Sequence, residues 1–107
     1  MSNQKNQKTI FKMSLPVFWT KTAQEDFKNL LTIIEKDTGS DSARTFLDKT
    51  ETVIAEIIES PASFPNFEHD TRFRIATLSD ETSVIFQFAR VNLRLLYFWD
   101  SRKGNDV

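Results

Sequence analysis

The sequence predicts an α+β fold: a short N-terminal strand, an antiparallel helical hairpin, then a three-stranded antiparallel meander (β-α-α-β-β-β) with the helices packed on the sheet. Three observations predict it. Residues 22–58 carry apolar side chains at helical spacing in two stretches parted by Gly39. Residues 72–102 alternate at period two in three runs divided by short turns. A brief apolar run, Leu15 to Trp19, precedes both. A chain of 107 residues with 39% apolar content makes one domain that can bury a core without staples.

The first thirteen residues, MSNQKNQKTIFKM, are rich in Asn, Gln and Lys and have little to bury, so residues 1–13 read as a disordered or loosely attached tail and 14–107 as the single domain. The first strand runs from Leu15 to Trp19, and Pro16 near its start fits an edge, where a missing N–H is tolerated. Thr22-Ala23-Gln24-Glu25 fits a capping box and predicts the first helix start. Its stripe is Ala23, Phe27, Leu30, Leu31 and Ile34, with Asp26, Lys28, Asn29, Glu35 and Lys36 off it. Gly39 stops the helix and Ser40 or Asp41 caps the next, giving a joint of three or four residues. The second stripe is Ala43, Phe46, Leu47, Thr50, Val53, Ile54, Ile57 and Ile58, and Ser60-Pro61 ends it.

Residues 61–71, PASFPNFEHDT, form a loop pinned by Phe64 and Phe67. His69 sits in it with no second histidine or cysteine, a poor metal site, so it reads as a solvated loop residue with general-base chemistry as the alternative. Arg72 to Ser79 is the next strand. A turn at Asp80-Glu81 leads into Ser83 to Arg90, and a tight turn at Val91-Asn92 into the last strand, Asn92 to Arg102. That strand is apolar on both faces, with Leu93, Leu95, Tyr97 and Trp99 on one side and Leu96 and Phe98 on the other. It is therefore expected in mid-sheet, with Tyr97 facing the core.

Charge and composition narrow the chemistry. No cysteine is present, so disulfides and thiolate sites are excluded. No apolar run is long enough to span a bilayer, and the basic start lacks a hydrophobic signal core, so a cytoplasmic protein with no membrane partner is expected. Residues 21–60 hold nine acids against five basic residues, whereas residues 69–107 hold six basic residues against five acids. Five of the six arginines (Arg72, Arg74, Arg90, Arg94 and Arg102) lie in that second part. Arginine suits bidentate contact with phosphate or carboxylate, and the alternative is a solvated sheet edge. The Trp99-Asp100-Ser101-Arg102 end brings an acid and a cation out of a buried strand. They serve either a site or a simple ion pair.

From about Leu15 to Arg102 the chain resembles the RelE/ParE superfamily of bacterial type II toxins. The resemblance lies in VFWTKTAQEDF running from strand to helix, SARTFLDKTETVIAEIIESP, the arginine-led RFRI strand and the closing LRLLYFWDSRK. The aromatic-Asp-x-Arg ending is similar to ParE-like members. The resemblance implies a toxin held inactive by a cognate antitoxin, whose apolar anchors and acids would enter the groove between helices and sheet. RelE-like members cut messenger RNA on the ribosome; ParE-like members poison DNA gyrase. Of the RelE-like pattern, Arg72-Phe73-Arg74 matches the paired arginines. Ser83 and Phe86 stand where the family has an Arg and a Tyr, and Trp99-Asp100 occupies the usual His or Tyr end. A toxin that binds is therefore expected, without cofactor or metal. Arg72, Arg74, Trp99, Asp100 and Arg102 would contact target or partner, and Arg72 and Arg74 become the catalytic candidates if it is a nuclease.

Overall fold

The computed structural model describes residues 16–89, 92–102 and 105–106. The tail 1–13, Leu15, and the turn residues Arg90 and Val91 lie outside the described residues. The elements are β1 (Val17–Trp19), α1 (Lys21–Thr38), α2 (Ser40–Glu59), a 3-10 turn (Pro61–Ser63), β2 (Arg74–Thr77), β3 (Thr82–Phe88), β4 (Leu93–Asp100) and β5 (Asn105–Asp106). The expected order is present. The sheet runs β1-β4-β3-β2. β2, β3 and β4 form the antiparallel meander, while β1 pairs with β4 in parallel, so the sheet as a whole is mixed. β4 is central, as its two-faced apolarity requires. On its second edge, β1 covers Leu93–Leu95 and β5 covers Trp99–Asp100.

The first helix begins two residues earlier than its capping-box motif suggests. Thr20, not Thr22, is the cap, and its hydroxyl oxygen accepts from the Ala23 N–H at 3.1 Å. The reason is tertiary. Thr20 also donates its N–H to the Leu95 carbonyl (3.1 Å) and its hydroxyl to the Leu96 carbonyl (2.7 Å), so the end of β1 fixes where the helix starts. The two helices meet at a single residue, Gly39, in place of the longer joint expected. Its φ of 103° with ψ of 167° is open essentially only to glycine. Ser40 is consequently the first residue of α2 and donates its hydroxyl to Glu35 instead of capping.

The core lies between the hairpin and one face of the sheet. Ala23, Leu30, Phe46, Val53 and Ile57 from the helices meet Ala76, Val84, Phe86, Leu93, Leu95 and Phe98 from the strands and Leu78 from the β2–β3 turn. Leu31, Ile34 and Ile54 are partly buried beside them. Phe27 stacks on both Phe46 (5.8 Å) and Phe98 (5.5 Å), tying the two helices to β4.

One feature of β4 departs from simple alternation. Ile85 of β3 faces Tyr97, but the next residue, Phe86, faces Leu95, so Leu96 is an extra, bulged residue. The bulge flips the face of everything after it. Leu93 and Leu95 point to the helices, and beyond the bulge Phe98 and the buried Asp100 take that side. Tyr97 and Trp99 are thereby turned to the opposite, open face. The expectation that Tyr97 faces the core is thus corrected, because an insertion of one residue inverts the pleat.

Candidate functional site

Two concavities flank the C-terminal half of β4. The first is a groove of about 550 Å³ between the hairpin and the β2–β3 turn. Its apolar part includes Leu30, Ile33, Phe46 and Leu78, and Lys49, Glu81, Asp100 and Arg102 supply charge. Ile33, next to the buried Leu30 along the groove, is 52% exposed, large for an apolar residue. Arg102 reaches Glu81 at 3.6 Å and Asp100 at 3.5 Å, and the Asp100 carboxylate accepts from the Arg102 N–H at 2.9 Å. The Trp-Asp-Ser-Arg ending therefore folds onto itself at the mouth of the groove.

The second is a smaller cup of about 330 Å³ on the open face, lined by Asn66, Phe67, Glu68, His69, Ile75, Trp99 and Ser101. It exists because the 64–73 loop is tied to the free edge of β2. Phe67 donates its N–H to the Phe73 carbonyl (2.9 Å) and Ile75 donates to Pro65 (3.1 Å), while Asn66 and Arg74 form an antiparallel bridge. This swings the buried Phe67 ring over Trp99, edge to face at 4.9 Å. His69 lies 5.1 Å from Trp99 and 5.2 Å from Phe67, and Tyr97 follows at 6.4 Å from Trp99. Among the described residues the lining holds no lysine or arginine; its carboxylate is that of Glu68, 87% exposed and 3.8 Å from the His69 ring.

The arginines named from the sequence are not brought together. Arg72 forms a two-point pair with Asp70, Nε to Oδ1 at 2.9 Å and Nη2 to Oδ2 at 2.5 Å, and its guanidinium lies 4.9 Å over the Phe73 ring. The Arg72 hydrogen bond holds the Asp70 carboxyl down at about 2 and raises the Arg72 pKa in turn. Arg74 points the other way. Alternation along β2 puts it with Ala76 and Leu78 on the helix side, where it donates to the Phe64 carbonyl at 2.6 Å. Trp99 belongs to the cup, Asp100 and Arg102 to the groove. Arg94 is exposed at the far end of the open face, opposite Phe18 in the register. Arg90 lies outside the described residues.

Two groups have roles that the sequence pattern does not announce. Asp26 was placed off the buried stripe, yet it is 7% exposed and accepts the Phe98 N–H at 3.0 Å. It seals the stretch of the β4 edge that β1 and β5 leave uncovered. The cup gathers His69 with rings distant in sequence, and its signal in the sequence is the Phe67-x-His69 spacing beside a strand ending in tryptophan. Among the described residues no group of three or more His, Asp or Glu could hold a metal, and no helix is long and apolar enough to cross a membrane.

A helical hairpin laid across one face of a small mixed sheet, with a groove and an open-face cup at the end of its central strand, defines the architecture. Solved structures share it. A chain of the chromosomal ParDE TA system from P. aeruginosa superposes with a TM-score of 0.69 at 13% identity, over 89% of this chain and 98% of that one. A chain of the E. coli DinJ-YafQ toxin-antitoxin complex gives a TM-score of 0.59 at 11% identity, over 84% and 96%. The fold is thus the one that the RelE/ParE resemblance implies. No protein-family model and no curated protein matches the sequence.

Proposed function

We propose that this chain is the toxin of a type II toxin–antitoxin pair, that it works in the cytoplasm by binding its target in the manner of a ParE-like gyrase poison, and that a cognate antitoxin neutralises it. The shared fold with chains of two toxin–antitoxin systems supports the toxin reading. The observation that carries the binding mechanism is the separation of Arg72 from Arg74. One is neutralised by Asp70 and the other turns through the sheet to a loop carbonyl, so the pair cannot close on one phosphate. A phosphodiester transition state left without clustered cations loses about 10² or more in rate for each missing donor. The groove supplies the antitoxin site, with an apolar floor at Leu30 and Phe46 for anchoring side chains and Lys49 and Arg102 at its rim for acids.

The test is expression of the chain alone in a bacterial host, scoring growth, gyrase-dependent DNA breaks and messenger RNA 5′ ends together. Arrest with DNA breaks, relieved by co-expressing the product of the neighbouring gene, is the expected outcome. Arrest with codon-phased RNA cuts would overturn the mechanism.

One observation favours that second reading, a ribosome-dependent endonuclease. The Leu96 bulge delivers Tyr97 to the same open face as His69 and Trp99, so proton carriers and a stacking ring share a surface. In that case the cuts would vanish in His69→Ala or Tyr97→Phe and persist in the Arg72→Ala, Arg74→Ala double variant. Normal growth with tight antitoxin binding would identify a module that has kept only its partner.

A further inference from the structure

We propose that the cup over Trp99 is a receptor for a cationic side chain, an arginine of a protein partner. The inference rests on the reading that the molecule acts by binding proteins, and it names the chemistry of the guest. Three aromatic rings, the buried Phe67 and the partly exposed His69 and Trp99, line the cup within 5.2 Å of one another, and aromatic faces carry negative potential. Among the described residues, the formal negative charge in its lining is the Glu68 carboxylate, and the lining holds no lysine or arginine. Polar groups add acceptors to this. Asn66 spends its amide N–H₂ on the Thr71 carbonyl at 3.1 Å, leaving its carbonyl oxygen as the end able to accept from a guest. Ser101 donates its hydroxyl to the Asp80 carbonyl at 3.2 Å, which leaves the oxygen lone pairs as what it offers.

A phosphate or carboxylate entering this space would meet a carboxylate and ring faces, with no lysine or arginine among the described lining residues to balance it. A guanidinium meets what it needs: a flat ring to stack on, a carboxylate at the rim and oxygen acceptors for its N–H groups. The chain already shows the same preference once, where the Arg72 guanidinium lies over Phe73 while pairing with Asp70. The volume of about 330 Å³ suits one side chain and leaves no room for a folded element.

The experiment is a titration of the ¹⁵N-labelled full chain at pH 8 with the capped tripeptide Ac-Gly-Arg-Gly-NH₂, following the indole N–H of Trp99 and the amides of residues 66–69. Trp19 gives the other indole signal, and a Trp99→Phe variant assigns the pair. Uridine monophosphate and the glutamate tripeptide Ac-Gly-Glu-Gly-NH₂ are titrated in parallel. The expected result is saturable shifts with the arginine peptide and none at the same concentration with the two anions. Glu68→Gln, a change at an exposed side chain, should weaken binding about three-fold, and Trp99→Leu about ten-fold. A nucleotide that shifts these signals while the arginine peptide does not overturns the proposal in favour of nucleic acid. So does arginine binding that Glu68→Gln and Trp99→Leu leave unchanged, which would place the guest elsewhere. These readouts need no growth phenotype, so a chain that fails to arrest growth can still pass, and a true toxin can still fail.

Discussion

The two faces of the sheet solve opposite problems with the same strands. On the helix side, β3 and β4 present Val84, Phe86, Leu93, Leu95 and Phe98, each fully or almost fully buried under the hairpin. On the other side, Ile85 is just as buried, but its neighbours Ile75, Tyr97 and Trp99 are only half covered, by a loop and not by a helix. One face is packed under the hairpin, the other left partly open. The lesson is that a short sheet can carry a closed and an open face when a single bulge sorts which side chains go where.

Substitution on either side of the bulge is the strongest way to break that contrast. Phe98→Ala removes a ring that touches both Trp19 and Phe27, and it should cost about 3–5 kcal/mol in denaturant unfolding. Trp99→Ala, one residue on, should cost about 1–2 kcal/mol because its ring is half solvated in the folded state. Equal losses would mean that the open face is a second core.

A smaller effect sharpens the comparison at the strand edge. Asp26→Ala leaves the Phe98 N–H without its acceptor and should lower stability by about 3 kcal/mol, whereas Asp26→Asn keeps an acceptor and should lose less. Amide exchange at Phe98 reads the same event directly; unchanged protection in the alanine variant would show that something else seals the gap. At the hairpin joint, Gly39→Ala meets no atom within 4 Å, so the whole penalty is backbone strain, about 1–3 kcal/mol. A variant as stable as the parent would show that the joint relaxes to another conformation.

The weakest effect lies on the solvated side. Asp70 titrates low, about 2 against an ordinary 3.8, because the Arg72 guanidinium holds it ionised. A depressed carboxylate stabilises the fold above its unfolded pKa, so the contribution is complete above pH 4 or so and disappears as pH falls from there towards about 2. Carboxyl NMR titration should find Asp70 low in the parent and back in the usual carboxylate range in Arg72→Gln.

Much of the fold was legible because the two periodicities differ so plainly: apolar stripes at helical spacing on either side of Gly39, then alternation after Arg72. The register of β4 was not. With Leu93, Leu95 and Leu96 all apolar, hydrophobicity assigns no face to Tyr97, and only the pairing with β3 reveals the extra residue at Leu96. The helix start slipped from Thr20 to Thr22 for a related reason. Both threonines can cap, and the choice is made by carbonyls of a strand that lies some 76 residues away. Of the site, the residue types at the Trp-Asp-Ser-Arg end were visible, but their division between groove and cup depends on the same bulge.

The parallel pairing of β1 with β4 also fixes when the molecule can come into being. The helical hairpin needs only local contacts and can form as soon as it is made, yet its apolar face is not fully covered until Leu93, Leu95 and Phe98 arrive to fill the centre of the sheet. β1 waits too, since its strand partner is the β4 segment Leu93–Leu95. Without the segment from Leu93 on, the groove lacks Asp100 and Arg102 and the cup lacks Trp99 and Ser101, so one strand, entering between two elements already made, completes both surfaces together.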